Sequence, residues 1–105
     1  ENIDIPPSLA KGKTELYALR VKGESMIDAL VADGDLVIME HITQPNNGDM
    51  VAAWLEDSNE VTLKHFHIAN GTVTLQPANS NMEPIRIPAE KVSVRGKVVG
   101  VVRTV

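Results

Sequence analysis

The chain has 105 residues, 43% of them hydrophobic and 23% charged, which suits one domain with its own core and leaves no room for two. It contains no cysteine, so disulfide scaffolds, thiolate zinc sites and cysteine nucleophiles are excluded. Ten basic against fourteen acidic residues give a net charge of -4, and because the basic ones are scattered, the electrostatic footprint of nucleic-acid binding is missing.

Residues 1–7 lack the basic start and apolar stretch of a signal peptide, and without an initiator methionine the chain reads as a trimmed piece. Residues 16–22 place Tyr17, Leu19 and Val21 on one face and Ala18, Arg20 and Lys22 on the other, the alternation of a half-buried strand. Ser25, with Asp28 three residues on, has capping-box spacing and predicts a short turn of helix over 25–30. Asp33-Gly34-Asp35 then marks a turn. Residues 35–40 and Met50–Leu55 are apolar enough to be strands covered on both faces, with punctuation at 45–48 between them. Beyond a turn at 56–59, strands are predicted over 60–67 and 72–76, joined at Asn70-Gly71, whose tolerance of positive φ suits a tight hairpin. A loop over 77–84 and a strand over 92–102 complete the chain. Thirteen valines and eight isoleucines agree with this pattern, since β-branched side chains fit a pleated surface. The expectation is a mostly β fold of several coiled sheets with only short helical turns, in a single domain spanning 1–105. The longest apolar runs, Met50–Leu55 and 98–102, fall far short of the roughly 18 residues of a membrane span, so no membrane is expected.

Ser25 invites two readings. At the start of a helical turn it is adjacent to unpaired backbone N–H groups able to stabilise an oxyanion, but the local spacing alone reads more simply as a helix cap. A nucleophilic serine also needs a base, because its hydroxyl attacks poorly until its proton is removed. His65 and His67 share a strand face, yet neither a third metal ligand nor a well-placed carboxylate partner is evident. They and His41 read as surface histidines. Lys64 sits between Leu63 and Phe66 and, by alternation, shares a face with Thr62 and Phe66. Strand lysines most often discourage edge pairing. A buried lysine is different, because desolvation lowers its pKa from about 10.4 and leaves a free amine able to take the serine proton, and Thr62 can orient that amine. Asp33-Gly34-Asp35 lacks the further oxygens of a calcium loop. A lone tryptophan, tyrosine and phenylalanine are packing residues rather than a stacking platform for single strands. No metal or cofactor is called for.

Taken in order, Val21-Lys22-Gly23-Glu24-Ser25-Met26, Asp33-Gly34-Asp35-Leu36-Val37, Asn47-Gly48-Asp49, Val61-Thr62-Leu63-Lys64, Leu75-Gln76-Pro77 with Asn79, and Gly96-Lys97-Val98-Val99-Gly100-Val101-Val102-Arg103 resemble the self-cleaving C-terminal domain of LexA-type repressors. The likeness spans nearly the whole chain, and its specificity comes from the serine motif and the lysine strand standing in this order. It implies several coiled β-sheets of the kind shared with signal peptidases, Ser25 as nucleophile, Lys64 as base, and the backbone N–H groups of Glu24 and Ser25 as the hole for the scissile carbonyl oxygen. His65 stands where the family usually carries a basic residue such as arginine, and Ala78 where glutamate is common; neither departure touches the serine and lysine.

By the same resemblance, an N-terminal winged helix-turn-helix domain would bind operator DNA, and an Ala-Gly bond in the linker would be the substrate. RecA filament on single-stranded DNA would promote the cut, releasing repression of the SOS response to DNA damage in the bacterial cytoplasm. The C-terminal region would form a homodimer, for which the apolar run 98–102 is the candidate surface and an ordinary core strand the plainer alternative. The chain holds no Ala-Gly pair, and the likeness of Pro7-Ser8-Leu9 to the segment just after the linker places Glu1 beyond the cleavage site, with the DNA-binding domain and linker absent. Two alternatives stay open: a UmuD-like mutagenesis domain, and a catalytically silent dimerisation module in which Ser25 only caps and Lys64 is only a surface charge.

Overall fold

The structure, a computed structural model, describes residues 15–103; the Pro7-Ser8-Leu9 segment lies outside them. Seven strands follow in chain order: β1 (Leu16–Arg20), β2 (Leu36–Glu40), β3 (Met50–Leu55), β4 (Glu60–Ala69), β5 (Thr72–Gln76), β6 (Ile85–Pro88) and β7 (Val92–Val102). The fold is mostly β, as expected, and the helical content is two 3₁₀ turns, Ile27–Ala29 and Ala89–Lys91. Strand β6 is unanticipated. Its Ile-Arg-Ile core is flanked by Pro84 and Pro88, which read as loop; the structure accommodates Pro88 because β6 is an edge strand and the missing N–H leaves no ladder bond unmade.

All neighbouring strands are antiparallel, in the order β1-β2-β7-β3-β4-β5-β6. The long strand β7 lies at the centre and pairs with β3 through its first half and β2 through its second. Its register shifts once opposite Ala52 and Ala53 and again opposite Ile38 and Met39, leaving Arg95 and Val99 as extra residues. Such bulges bend a strand and raise its twist, so the ladder coils instead of lying flat.

Coiling produces two apolar clusters that share β3. Val51, Ala53 and Leu55 pack with Phe66, Val73, Leu75 and Val94, whereas Ala52, pointing the other way, packs with Val21, Met26, Val31, Val37 and Met39. This alternation explains why β3 is apolar at almost every position. Gly96 is where the coil is tightest: the Tyr17 hydroxyl, which donates to the Arg95 carbonyl at 2.7 Å, and the Glu40 carbonyl occupy the space a side chain would need. A Cβ there would meet them at 2.5 and 2.8 Å.

The last link is a bidentate ion pair. Arg103 Nε and Nη2 donate to the two Asp35 carboxylate oxygens at 3.1 and 2.8 Å, and Nη2 also donates to the Leu30 carbonyl at 2.7 Å. These bonds, first that from Arg103 and then that from the Ala32 N–H, hold the Asp35 carboxyl down to about 2. The end of β7 is thereby fastened to the segment between β1 and β2.

Gly96→Ala should destabilise the protein by about 2 kcal/mol through overpacking, because one of the two clashing atoms is backbone and cannot rotate away. Urea denaturation checks this: an unchanged midpoint would mean that β7 can move away from β1 at no cost.

Candidate active site

Strand β1 runs out at Arg20, but the chain stays beside β2. The Val21 N–H donates to the Asp35 carbonyl and the Gly34 N–H to the Val21 carbonyl, both at 2.8 Å. Gly23 then turns with φ +85, a value that favours glycine, and its N–H is caught by the Asp33 carboxylate at 2.7 Å. Ser25 follows at the top of this turn, half-buried beside Met26, which is 1% exposed.

The expected helix cap does not form. Met26 occupies the N-cap position of the 3₁₀ turn and no side chain caps it. The Asp28 carboxylate, the predicted capping partner, instead accepts the Ser80 N–H at 3.0 Å. A 3₁₀ turn of three residues is too short for a capping box, and the Ser25 hydroxyl is turned to other use.

That use involves Lys64, 39 residues later, whose Nζ stands 3.1 Å from Ser25 Oγ. The lysine comes from the middle of β4, opposite Val51, and only 7% of it is exposed. Its second contact is the hydroxyl of Thr62, two residues along the same strand. Burial lowers the Lys64 pKa, against a smaller upward pull from the Glu60 charge. Among the described residues no carboxylate forms an ion pair with it. Protonated, the amine donates to both hydroxyls; neutral, its lone pair accepts the Ser25 proton.

The structure therefore brings Ser25, Lys64 and Thr62 together in the lining of a cleft of about 420 Å³. Glu24 is exposed at its rim, and the exposed apolar side chains Val61 and Met82 also line it. The other candidates stand apart. His65 Nδ1 is 3.3 Å from the Gly48 carbonyl, and His41 and His67 are exposed. Among the described residues no cluster of three or more histidines and carboxylates is arranged to hold a metal. Trp54 donates to Asn59 and lies beneath the Arg95 guanidinium, a packing role. Ala78 packs against the cluster around Met26.

Two residues escaped the sequence reading. Asp35 passed as part of a turn, although Arg103, the first charge after the apolar run, was a signal for a partner. Asn79 carried no assigned role, yet its side-chain amide donates to the Glu24 carbonyl at 2.8 Å, and nothing local in the sequence connects positions 55 residues apart.

Comparison with known proteins places this geometry in context. The family described as Peptidase S24-like matches residues 1–99. The LexA repressor of Roseiflexus sp. (strain RS-1) is 49% identical over 106 residues, covering 99% of this chain and 49% of that protein. The LexA repressor of Herpetosiphon aurantiacus is 53% identical over 89 residues, covering 85% of this chain and 42% of that protein. That of Thermotoga maritima is 46% identical over 101 residues, covering 96% and 50%. The chain spans about half the length of the curated relatives it matches.

Because the folded state holds the Lys64 pKa below its usual value, the unfolded chain binds the extra proton. The resulting penalty is absent above about pH 10.4, grows as pH falls, and levels off below the folded pKa. Lys64→Met should therefore be more stable than the parent at pH 7, with the difference closing toward pH 10.4. Urea denaturation at several pH values checks it; a variant markedly less stable at pH 7 would show the lysine to be a structural partner.

Proposed function

This chain belongs to the Peptidase S24-like family, and from that premise we propose that it is the self-cleaving and dimerising domain of a LexA-like repressor, a serine peptidase using Ser25 and Lys64. The carrying observation is the 3.1 Å approach of a buried lysine amine, without an ion-paired carboxylate among the described residues, to the serine hydroxyl. A silent module would leave that amine in solvent, where its charge costs nothing; a desolvated amine is worth retaining only for chemistry at its lone pair. The relatives at about half identity are LexA repressors, which favours this reading over a UmuD-like one.

In the proposed reaction the neutral Lys64 amine removes the Ser25 proton as Oγ attacks the scissile carbonyl carbon. The N–H groups of Glu24 and Ser25 receive the developing oxyanion. Lys64, now an ammonium, gives its proton to the leaving amine, so an acyl-enzyme forms on Ser25 and the new N-terminus departs. Water, activated by the same amine, then releases the acid and restores the hydroxyl. Thr62 holds the amine on the serine throughout. The substrate is the Ala-Gly bond of the protein's own linker, and RecA filament promotes its entry into the cleft. Operator DNA is bound by a separate N-terminal domain, and the setting is the bacterial cytoplasm. Among the described residues no helix is long and apolar enough to cross a membrane.

Dimerisation is proposed through the second half of β7. There β3 pairing stops at Lys97, so the side of residues 98–102 away from β2 has no partner strand among the described residues. Val101 and Val102 remain 44% and 39% exposed. An unpaired strand edge with exposed valines is a template for a second copy.

Supplied with a linker peptide containing Ala-Gly, the chain should cut it slowly, since binding in trans forfeits the effective concentration of an attached substrate. The rate should rise with pH through the lowered Lys64 pKa and fall by at least about a thousandfold in Ser25→Ala. Parent-like cutting by that variant, or a rate independent of pH, would sink the mechanism. In sedimentation the parent should dimerise at micromolar concentration and Val101→Glu should weaken association at least about tenfold, because the new charge must be desolvated; a dimer indifferent to the substitution uses another surface.

A further inference from the structure

We propose that Asn79 is a positioning residue that aims the Ser25 N–H into the cleft, toward the place the scissile carbonyl oxygen will occupy. This deepens the reading of Ser25 as nucleophile and rests on it.

The geometry turns on one peptide plane. The Glu24 carbonyl accepts the Asn79 side-chain amide at 2.8 Å and the Ile27 N–H at 3.3 Å. In a trans peptide the C=O and N–H of one plane point in opposite directions, so fixing the Glu24 oxygen fixes where the Ser25 N–H points, away from Asn79. The amide is itself oriented, because the Asn81 N–H donates to Asn79 Oδ1 at 2.9 Å and leaves the Nδ2 side as donor.

Asn79 also sits on a well-held support. The Asp28 N–H donates to the Ala78 carbonyl at 2.7 Å, and the Met82 N–H to the Asn79 carbonyl at 3.1 Å. The Ser80 N–H donates to the Asp28 carboxylate at 3.0 Å, and the Ala78 N–H to the Met26 sulfur at 3.4 Å. Buried Pro77 anchors the start of the loop. Upstream, Asp33 grips the Gly23 N–H and fixes the turn that leads into this peptide. The Glu24–Ser25 plane itself is held at its oxygen by Asn79 and Ile27, and such preorganisation is what an oxyanion donor needs in order to act without rearranging. Without the Asn79 amide, the 3.3 Å contact within the turn alone would have to hold the plane.

The test uses the chain with a linker peptide containing Ala-Gly and separates kcat, KM and the pH dependence of kcat. Asn79→Ala removes both contacts of the side chain. Asn79→Asp keeps an acceptor for the Asn81 N–H but sets a carboxylate oxygen against the Glu24 carbonyl. Both should lower kcat about tenfold or more, while KM stays within about twofold; in Asn79→Ala, which adds no charge near Lys64, the pH midpoint stays at the parent value, whereas the Asn79→Asp carboxylate moves it upward if at all. An unchanged kcat, a loss carried in KM, or a displaced pH midpoint in Asn79→Ala would each overturn the proposal. So would melting of both variants below the assay temperature, since Asn79 would then be a contact needed for the fold. A parent that leaves the peptide uncut removes the serine reading and this proposal together; an active parent indifferent to Asn79 removes only this proposal.

Discussion

A lysine amine buried against two hydroxyls, with no ion-paired carboxylate among the described residues, dictates how the protein around it is built. An ammonium in such a place is poorly solvated, so the surroundings must hold the amine against the hydroxyls instead of letting it turn into solvent. Phe66 on the same strand and Val51 across from it belong to one apolar cluster, while Leu63, pointing the other way, and Met26 belong to the second. The site lies where Lys64 of β4 meets the turn that carries Ser25.

Convergence is the work of strand β7. Ser25 follows β1 and Lys64 lies in β4, strands separated in the sheet order by β2, β7 and β3. In a flat sheet, three intervening strands would keep them well over 10 Å apart, at roughly 4.8 Å per strand. The two bulges of β7 and the side-chain-free contact at Gly96 curl the ladder until its separated members meet. Arg103, the residue that follows this strand, then ties down the segment after Ser25 through Asp35. One strand therefore sets the curvature, fastens the segment between β1 and β2, and presents the exposed valines proposed as a dimer surface.

The two sides of the site are held differently. Lys64 is fixed by strand pairing and packing, which leave few conformations open. The serine turn has no buried anchor of its own except Met26 and depends on borrowed contacts: Asp33 at Gly23, Asn79 at Glu24, Arg103 at Leu30. A segment held by a handful of hydrogen bonds can open locally at lower cost than a central strand. In the proposed reaction this asymmetry keeps the base stationary while the substrate threads past the serine.

Strands whose patterns are local were legible from the residues alone. Alternation at 16–22, the apolar runs at β2 and β3, the Asn70-Gly71 hairpin and β7 all follow from side-chain periodicity and turn chemistry within a few residues, and β6 was missed because its prolines hid an edge strand. Ser25 and Lys64 were legible as a pair only through the resemblance of their motifs in order; their local contexts favoured a cap and a surface charge. Long-range packing was needed to establish that Ser25 leaves the 3₁₀ turn uncapped, that its hydroxyl meets a buried amine, that Asp35 belongs to Arg103 and that Asn79 reaches the Glu24 carbonyl. The physical reason is range. Periodicity and turn residues fix the backbone over a few positions, whereas these contacts depend on twist and bulges accumulated across several strands, and that sum is settled only when the whole ladder closes around its two clusters.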